Sequence, residues 1–234
     1  MTIHGLNTYQ SHLTTDRGFR NFQWVLPGVL ARSAQPNYSG KDESHDISFL
    51  QADFLKKKGI SCVISSNQYE LPDHSKTLLA TYGIAYYHFR IEDYHAASPQ
   101  QLKTAADIIE ANRRRGATLV HCGFGEGRTG TIVAAWAMMK HMPTQAGVNI
   151  NTMCTPSSLK DNFGVETPHQ TANIRAAANL PATPYPPGLG FQAVASASGG
   201  SAQSFSGPGG IGMPNAASVP SINFSSIKTD DIEW

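Results

Sequence analysis

Apolar and polar positions along this chain follow two periods, and their alternation predicts a succession of strands and helices between residues 20 and 180. Short apolar stretches over residues 22–33 predict one or two strands. Residues 48–58 carry Phe49, Leu50, Ala52, Phe54 and Leu55 at helical spacing, with Gly59 as the stop. Two compact β-rich runs follow, Ile60-Ser61-Cys62-Val63-Ile64 and residues 85–89, and a helix over residues 75–82 separates them. Both runs read as buried sheet strands. The next helix has Ser98 as N-cap, Pro99 at its first position and Gln101 three residues after the cap, and it ends before Gly116. Ala117-Thr118-Leu119-Val120 reads as a short buried strand. Residues 131–141 read as a helix with Ile132, Val133, Trp136 and Met139 on its apolar side. A helix over about residues 143–152, an irregular stretch at 154–164 and a last helix capped by Thr167 and ending near Asn179 complete the pattern. Strands alternating with helices predict an α/β fold, a central twisted sheet flanked by helices.

The two ends break the pattern. Residues 1–20 are polar and aperiodic and predict a loose arm. From Pro181 onward Gly, Pro and Ser fill 24 of 54 residues, and only Lys228, Asp230, Asp231 and Glu233 are charged. Such a segment cannot build a core, so a disordered tail is expected over residues 181–234. Its closing stretch, residues 227–234, is apolar and acidic and reads either as a partner-binding motif or as an unordered end.

Charge and cysteine content narrow the class. A net charge of +1 over 234 residues implies no nucleic-acid partner and no attraction to a membrane surface. No apolar run approaches membrane-spanning length, and Met1-Thr2-Ile3-His4-Gly5 lacks a signal-peptide core. Three cysteines, Cys62, Cys122 and Cys154, make no disulfide framework and suit a reducing cytosol. Cys62 reads as core and Cys154 as incidental. The polar arm and low-complexity tail also suit a protein exported into another cell's cytosol.

The chemistry concentrates in His121-Cys122-Gly123-Phe124-Gly125-Glu126-Gly127-Arg128-Thr129-Gly130. A strand, a glycine-rich loop and a helix in that order bind anions, because successive backbone N–H groups point inward and the helix N-terminus adds its positive end. A cysteine at the base of such a loop is expected as thiolate, the nucleophilic form. Arg128 stands on the first helical turn, where a cation is disfavoured unless an anion offsets it, and its planar fork matches phosphate.

These ten residues resemble the signature of the cysteine-dependent protein phosphatases, His-Cys, five residues, Arg, then Ser or Thr. They are most similar to compact atypical dual-specificity enzymes. Phe89-Arg90-Ile91-Glu92-Asp93-Tyr94 resembles that family's general-acid segment, Val165-Glu166-Thr167-Pro168-His169-Gln170 its late Glu-Thr-x-x-Gln segment, and Leu30-Ala31-Arg32-Ser33-Ala34-Gln35-Pro36 its opening strand and turn. The likeness covers roughly residues 20 to 180 and implies a catalytic domain over residues 21–180.

The resemblance implies a phosphomonoester hydrolase acting on phosphoprotein, phosphotyrosine first, without metal or cofactor. Cys122 is the expected nucleophile and Arg128, with Gly123, Phe124, Gly125, Glu126 and Gly127, the expected phosphate site. Asp93 is the expected general acid, with Glu92 as its neighbouring competitor. Thr129 is expected to stabilise the departing thiolate, and His121 to orient the loop by hydrogen bonding. Gln170 either places the hydrolytic water or closes a capping box with Thr167. Phosphoinositide-directed relatives place lysines in the loop where this chain has Phe124 and Glu126, and the acidic side chain repels polyanionic headgroups. An inositol-lipid phosphatase and a non-catalytic phosphoprotein adaptor remain open as alternatives.

Overall fold

The computed structural model describes residues 1–11, 15–43 and 45–182. The expected tail therefore lies outside the described residues, apart from Pro181 and Ala182. A two-stranded antiparallel hairpin, β1 (Thr2–Ile3) and β2 (Leu6–Asn7), precedes a five-stranded sheet. The sheet comprises β3 (Gln23–Leu26), β4 (Leu30–Ala34), β5 (Ile60–Ser65), β6 (Ala85–His88) and β7 (Ala117–Cys122), in the order β3-β4-β7-β5-β6. Only β3 runs antiparallel to its neighbour; β4, β7, β5 and β6 are parallel.

Helices cover both faces. On one side lie α1 (Phe49–Lys57) and α2 (Asp73–Thr81), which pack Ala52, Leu55 and Leu79 against Ala31, Val63 and Leu119. On the other lie α3 (Pro99–Asn112), α4 (Gly127–Trp136), α6 (Pro156–Phe163) and α7 (Pro168–Ala177), after the short α5 (Ile150–Met153). These pack Leu102, Ile109, Val133, Leu159 and Ile174 against Leu30, Cys62, Ile64 and Val120. Neighbouring strand residues thus feed opposite cores, which is why β5 and β7 read as continuous apolar runs. All ten residues of α4 are buried, so the helix behind the loop has no solvent face. Cys62 is in the core as expected, and burial pushes its thiol up to about 12.

Three expectations about secondary structure are corrected. The helix expected at 131–141 begins earlier, at Gly127, and its last turn widens into a π-helical turn over Ala137–His141. The expected 143–152 helix is reduced to a single 3-10 turn, Met142–Thr144, and to α5. The irregular stretch at 154–164 is mostly helix: the Thr155 hydroxyl accepts from Ser158 N at 3.3 Å, Pro156 occupies the first turn, and Gly164 ends the helix at φ +70°. Its apolar pair, Leu159 and Phe163, is buried, as is Cys154 just before it. Burial pushes the Cys154 thiol up to about 11, and its carbonyl accepts from Arg175 Nη1 at 2.7 Å.

The expected loose arm is also corrected, because its few apolar residues are buried without periodicity. Leu6 and Phe19 are fully buried, and Phe19 stacks on Phe54 with ring centroids 5.7 Å apart. Asn7 Nδ2 donates to Trp24 O at 2.9 Å and Tyr9 N to Asn162 O at 2.8 Å, so residues 1–11 are tied to the body from two sides. Phe19→Ala is expected to lower the unfolding free energy by about 3–5 kcal/mol, the cost of an aromatic cavity. Urea denaturation measures it, and a loss below about 1 kcal/mol would mean that this segment does not pack.

Candidate active site

The loop leaves β7 at Cys122 and enters α4 at Gly127, at the carboxyl ends of the parallel strands. Its shape is imposed from outside. Gly123 O accepts from Gln35 N at 2.9 Å, Phe124 O from Asn21 Nδ2 at 3.2 Å and Gly125 O from Arg32 Nη2 at 2.6 Å. Three successive carbonyls turned outward leave the intervening N–H groups to face inward, which makes the loop an anion cradle. Gly125 has φ +89° and lies so close to Ser33 that a side chain there would overlap its carbonyl. A side chain at Gly127 would overlap the Glu166 carboxylate.

Arg32 is the largest of the outside supports. It is almost wholly buried, donates a second bond from Nη1 to Phe163 O at 2.6 Å and lies 4.2 Å from the Tyr9 ring centroid. Burial pushes its pKa down to about 10, against the opposing pull of Tyr9, Cys122 and Glu126. Burial and the neighbouring Glu126 carboxylate push the Tyr9 phenol up.

The loop floors a cavity of about 470 Å³ lined by Cys122, Gly123, Phe124, Glu126, Gly127 and Arg128, with Asp93, Tyr38, Asp42 and Glu166 among its walls. Cys122 is buried, and its Sγ lies 3.6 Å from Glu126 O. Arg128 Nη2 donates to Asp93 Oδ1 at 2.8 Å, and Nη1 donates to Ile91 O at 3.0 Å and to Asp42 Oδ2. Burial works against the Arg128 charge, but Cys122, Asp42 and Asp93 outweigh it, and its pKa is raised. Tyr38 packs edge-on against Phe124 with centroids 5.8 Å apart, and the Arg20 guanidinium covers that ring at 5.3 Å.

Most of the expected residues meet here. Asp93 reaches the cavity and Glu92 does not; Glu92 instead faces His95 at 3.9 Å. The Thr129 hydroxyl is buried at the start of α4 and meets no hydrogen-bond partner among the described residues. His121 differs from expectation. Among the described residues its ring makes no side-chain hydrogen bond, with only the Cys122 backbone beside it, and packs on His45 at 5.9 Å. Burial, then His45 and His88 beside it, hold its pKa well below the ordinary value, so the ring is neutral. Its contribution to the loop is through the main chain, where His121 O accepts from Ser66 N at 2.8 Å and Ser66 Oγ at 2.9 Å.

Gln170 is the second difference. It is fully buried, with Oε1 accepting from Glu166 N at 2.9 Å and Thr167 N at 3.2 Å, and Nε2 donating to His95 O at 3.2 Å. The capping box and the tie to the Asp93 loop engage both ends of the amide, and Gln170 does not line the cavity. Glu166 lines it instead. Burial, then repulsion from Glu126 and Asp93, raises the Glu166 pKa despite Arg128 nearby. Sequence reading missed Asp42, Glu166 and Tyr38 as cavity residues and Arg32 as a loop support.

Residues 42–142 match the model of a family described as "Polymorphic toxin system, DSP-PTPase phosphatase", and the span contains Asp42, Asp93 and the whole loop. The tyrosine-protein phosphatase cdc-14 of Caenorhabditis elegans is 26% identical over 144 residues, 59% of this chain and 20% of that protein. The human dual specificity protein phosphatase CDC14A is 26% identical over 160 residues, 66% of this chain and 25% of that protein. Residues 42–142 are thus similar to dual-specificity phosphatase-type domains. The chain spans only a fifth to a quarter of the length of those relatives. Its fold is shared with Tk-PTP: a crystal structure of a mutant form covers 68% of this chain and 94% of its own at a TM-score of 0.50, with 24% identity. No helix of the chain, among the described residues, is long and apolar enough to cross a membrane. Nor, among the same residues, does any group of three or more His, Cys, Asp or Glu side chains have the placement to hold a metal ion.

Proposed function

We propose that the protein hydrolyses phosphomonoesters on proteins, phosphotyrosine first and phosphoserine or phosphothreonine less well, through a cysteinyl-phosphate intermediate. The observation that carries this reading is the convergence of Cys122, the inward-facing loop amides, Arg128 and Asp93 on one cavity. The Cys122 thiolate attacks phosphorus in line, the S–P bond forms and the bond to the leaving oxygen breaks. Asp93 gives its proton to that oxygen. Loop amides and Arg128 hold the three equatorial oxygens, where transition-state charge collects. Water then attacks phosphorus and gives its proton to the Asp93 carboxylate, the S–P bond breaks, and the Thr129 hydroxyl supports the departing thiolate. Glu166, a cavity carboxyl with a raised pKa, takes over the water-placing role expected of Gln170.

Tyr38 and Phe124 give the cavity an aromatic wall, which favours an aryl phosphate over a short alkyl one. Glu126 and Glu166 disfavour inositol polyphosphates. The chemistry needs no metal, since the cradle and Arg128 supply the positive field. The family's description ties the matched region to polymorphic toxin systems, and we read the site of action as the cytosol of a recipient cell.

Phosphate release from phosphotyrosine, phosphoserine and phosphoinositide substrates tests the reading, and a clear preference for the lipid would overturn it. Asp93→Ala adds a sharper check. General acids contribute about 10²–10⁴-fold, and the need is greatest for a poor leaving group. The variant is expected to lose about 10²-fold or more on phosphotyrosine but much less on an activated aryl ester, and to retain bound phosphoprotein. Equal losses on both esters would remove Asp93 from the acid role.

A further inference from the structure

The geometry points to Asp42 as the positioning residue of the phosphate site: a fixed counter-ion that orients the Arg128 fork and so frees Asp93 for proton transfer. This rests on the function proposed above but concerns a residue outside the loop and its acid segment.

Asp42 and Asp93 both pair with the guanidinium, yet their settings differ. The Asp93 side chain is 56% exposed, whereas that of Asp42 is 8% exposed and that of Arg128 3%. Asp42 is also held by other donors: Asn67 Nδ2 reaches Oδ1 at 2.5 Å and Gln68 N reaches Oδ2 at 3.3 Å. Asn67 is fixed in turn, with Nδ2 on Gln35 Oε1 at 2.6 Å and Oδ1 accepting from Ser65 Oγ at 3.1 Å. The chain of bonds therefore starts at the end of β5 and finishes on Arg128. A buried carboxylate held by three donors is fixed in place.

The donor count on Arg128 completes the case. Both hydrogens of Nη1 are engaged, one by Asp42 and one by Ile91 O. The edge left for a ligand is Nε with Nη2, and that edge is the bidentate face of a guanidinium. On Nη2 the contact to displace is the exposed Asp93, and an acid that must carry a proton to the leaving oxygen cannot also serve as the permanent partner of Arg128. Asp42 fills that place without entering the Nε–Nη2 edge.

Orthovanadate, which adopts the five-coordinate geometry of phosphoryl transfer, and inorganic phosphate separate the two states of the site. Titration calorimetry of both ligands with wild type and Asp42→Asn is the experiment, with kcat and KM measured beside it. The expected result is vanadate binding weakened about 10- to 100-fold, the range for losing a charge-assisted hydrogen bond. Phosphate binding should change by less than about 3-fold, with the loss in turnover falling on kcat rather than KM. Tighter binding of both ligands would make Asp42 a competing anion and overturn the proposal, and so would equal weakening of both. Asn67→Ala, which releases Asp42 without altering it, should shift vanadate in the same direction by a smaller factor; unchanged vanadate affinity there also overturns it. Binding is read directly, so a wild-type protein that turned over no ester would count against the proposed function and not against this assignment.

Discussion

Replacing Cys122 by serine is expected to leave the fold intact and to reduce hydrolysis of an aryl phosphate by about 10⁴-fold or more, while EDTA leaves the wild-type rate unchanged. The side chain is buried at the end of β7, and its sulfur touches the Glu126 carbonyl, so an oxygen in its place fits without a cavity. What changes is the nucleophile. Sulfur is intrinsically the stronger nucleophile, whereas a serine hydroxyl needs an adjacent general base. The imidazole nearest in sequence cannot serve, because His121 is wholly buried and packs on His45 rather than over the cavity. The cradle and Arg128 survive the exchange, so the variant should still bind phosphate and vanadate. Stopped hydrolysis with retained anion binding is the decisive pair of measurements. Turnover retained in the variant would remove the covalent mechanism.

Arg128→Lys should be nearly as damaging, with kcat reduced about 10³-fold, or about 4 kcal/mol of transition-state stabilisation. Charge is conserved in this exchange and geometry is not. An ammonium offers three donors from one point, and cannot at once hold Asp42, Ile91 O and two phosphate oxygens. It would collapse onto Asp42, the buried partner, and leave the cavity. Steady-state kinetics on an aryl phosphate measures the effect, and a variant within about 10-fold of wild type would show that charge alone suffices. The Arg128→Lys and Asp42→Asn changes share one network, so their combined effect should fall well short of the product of the two.

The sequence was most legible where a signal is local. The strand, loop and helix around Cys122 occupy consecutive residues, and the boxes at Ser98 and Thr167 announce two helix starts that the structure contains. The helix Pro156–Phe163 carried the same kind of signal, a Thr-Pro start and a glycine stop. Its polar residues, among them Ser157, Ser158, Lys160 and Asp161, outnumber Leu159 and Phe163, which hid the apolar stripe. The docked N-terminal segment was illegible for a related reason: Leu6 and Phe19 are buried singly, and a single apolar residue has no period. Contacts across the chain were beyond local reading altogether. Asp42 and Arg128 stand 86 positions apart, Arg32 and the Phe163 carbonyl 131. Gln170 is the converse case, with two roles open. It sits three residues after Thr167, where both a cap and a site were legible, and the buried amide forms the cap.

The outward carbonyls of Gly123, Phe124 and Gly125 have a consequence for how such a protein diversifies. Their partners, Gln35, Asn21 and Arg32, lie wholly outside the loop and contact none of its side chains through these bonds. The bonds that set the curvature of the cradle therefore do not pass through the Phe124 side chain, whereas Glu126 acts on Arg32 and Tyr9 and is tied to that support. Position 124 can be exchanged to admit or repel different phosphoesters with these main-chain bonds kept, so selectivity can change there without dismantling the reactive geometry.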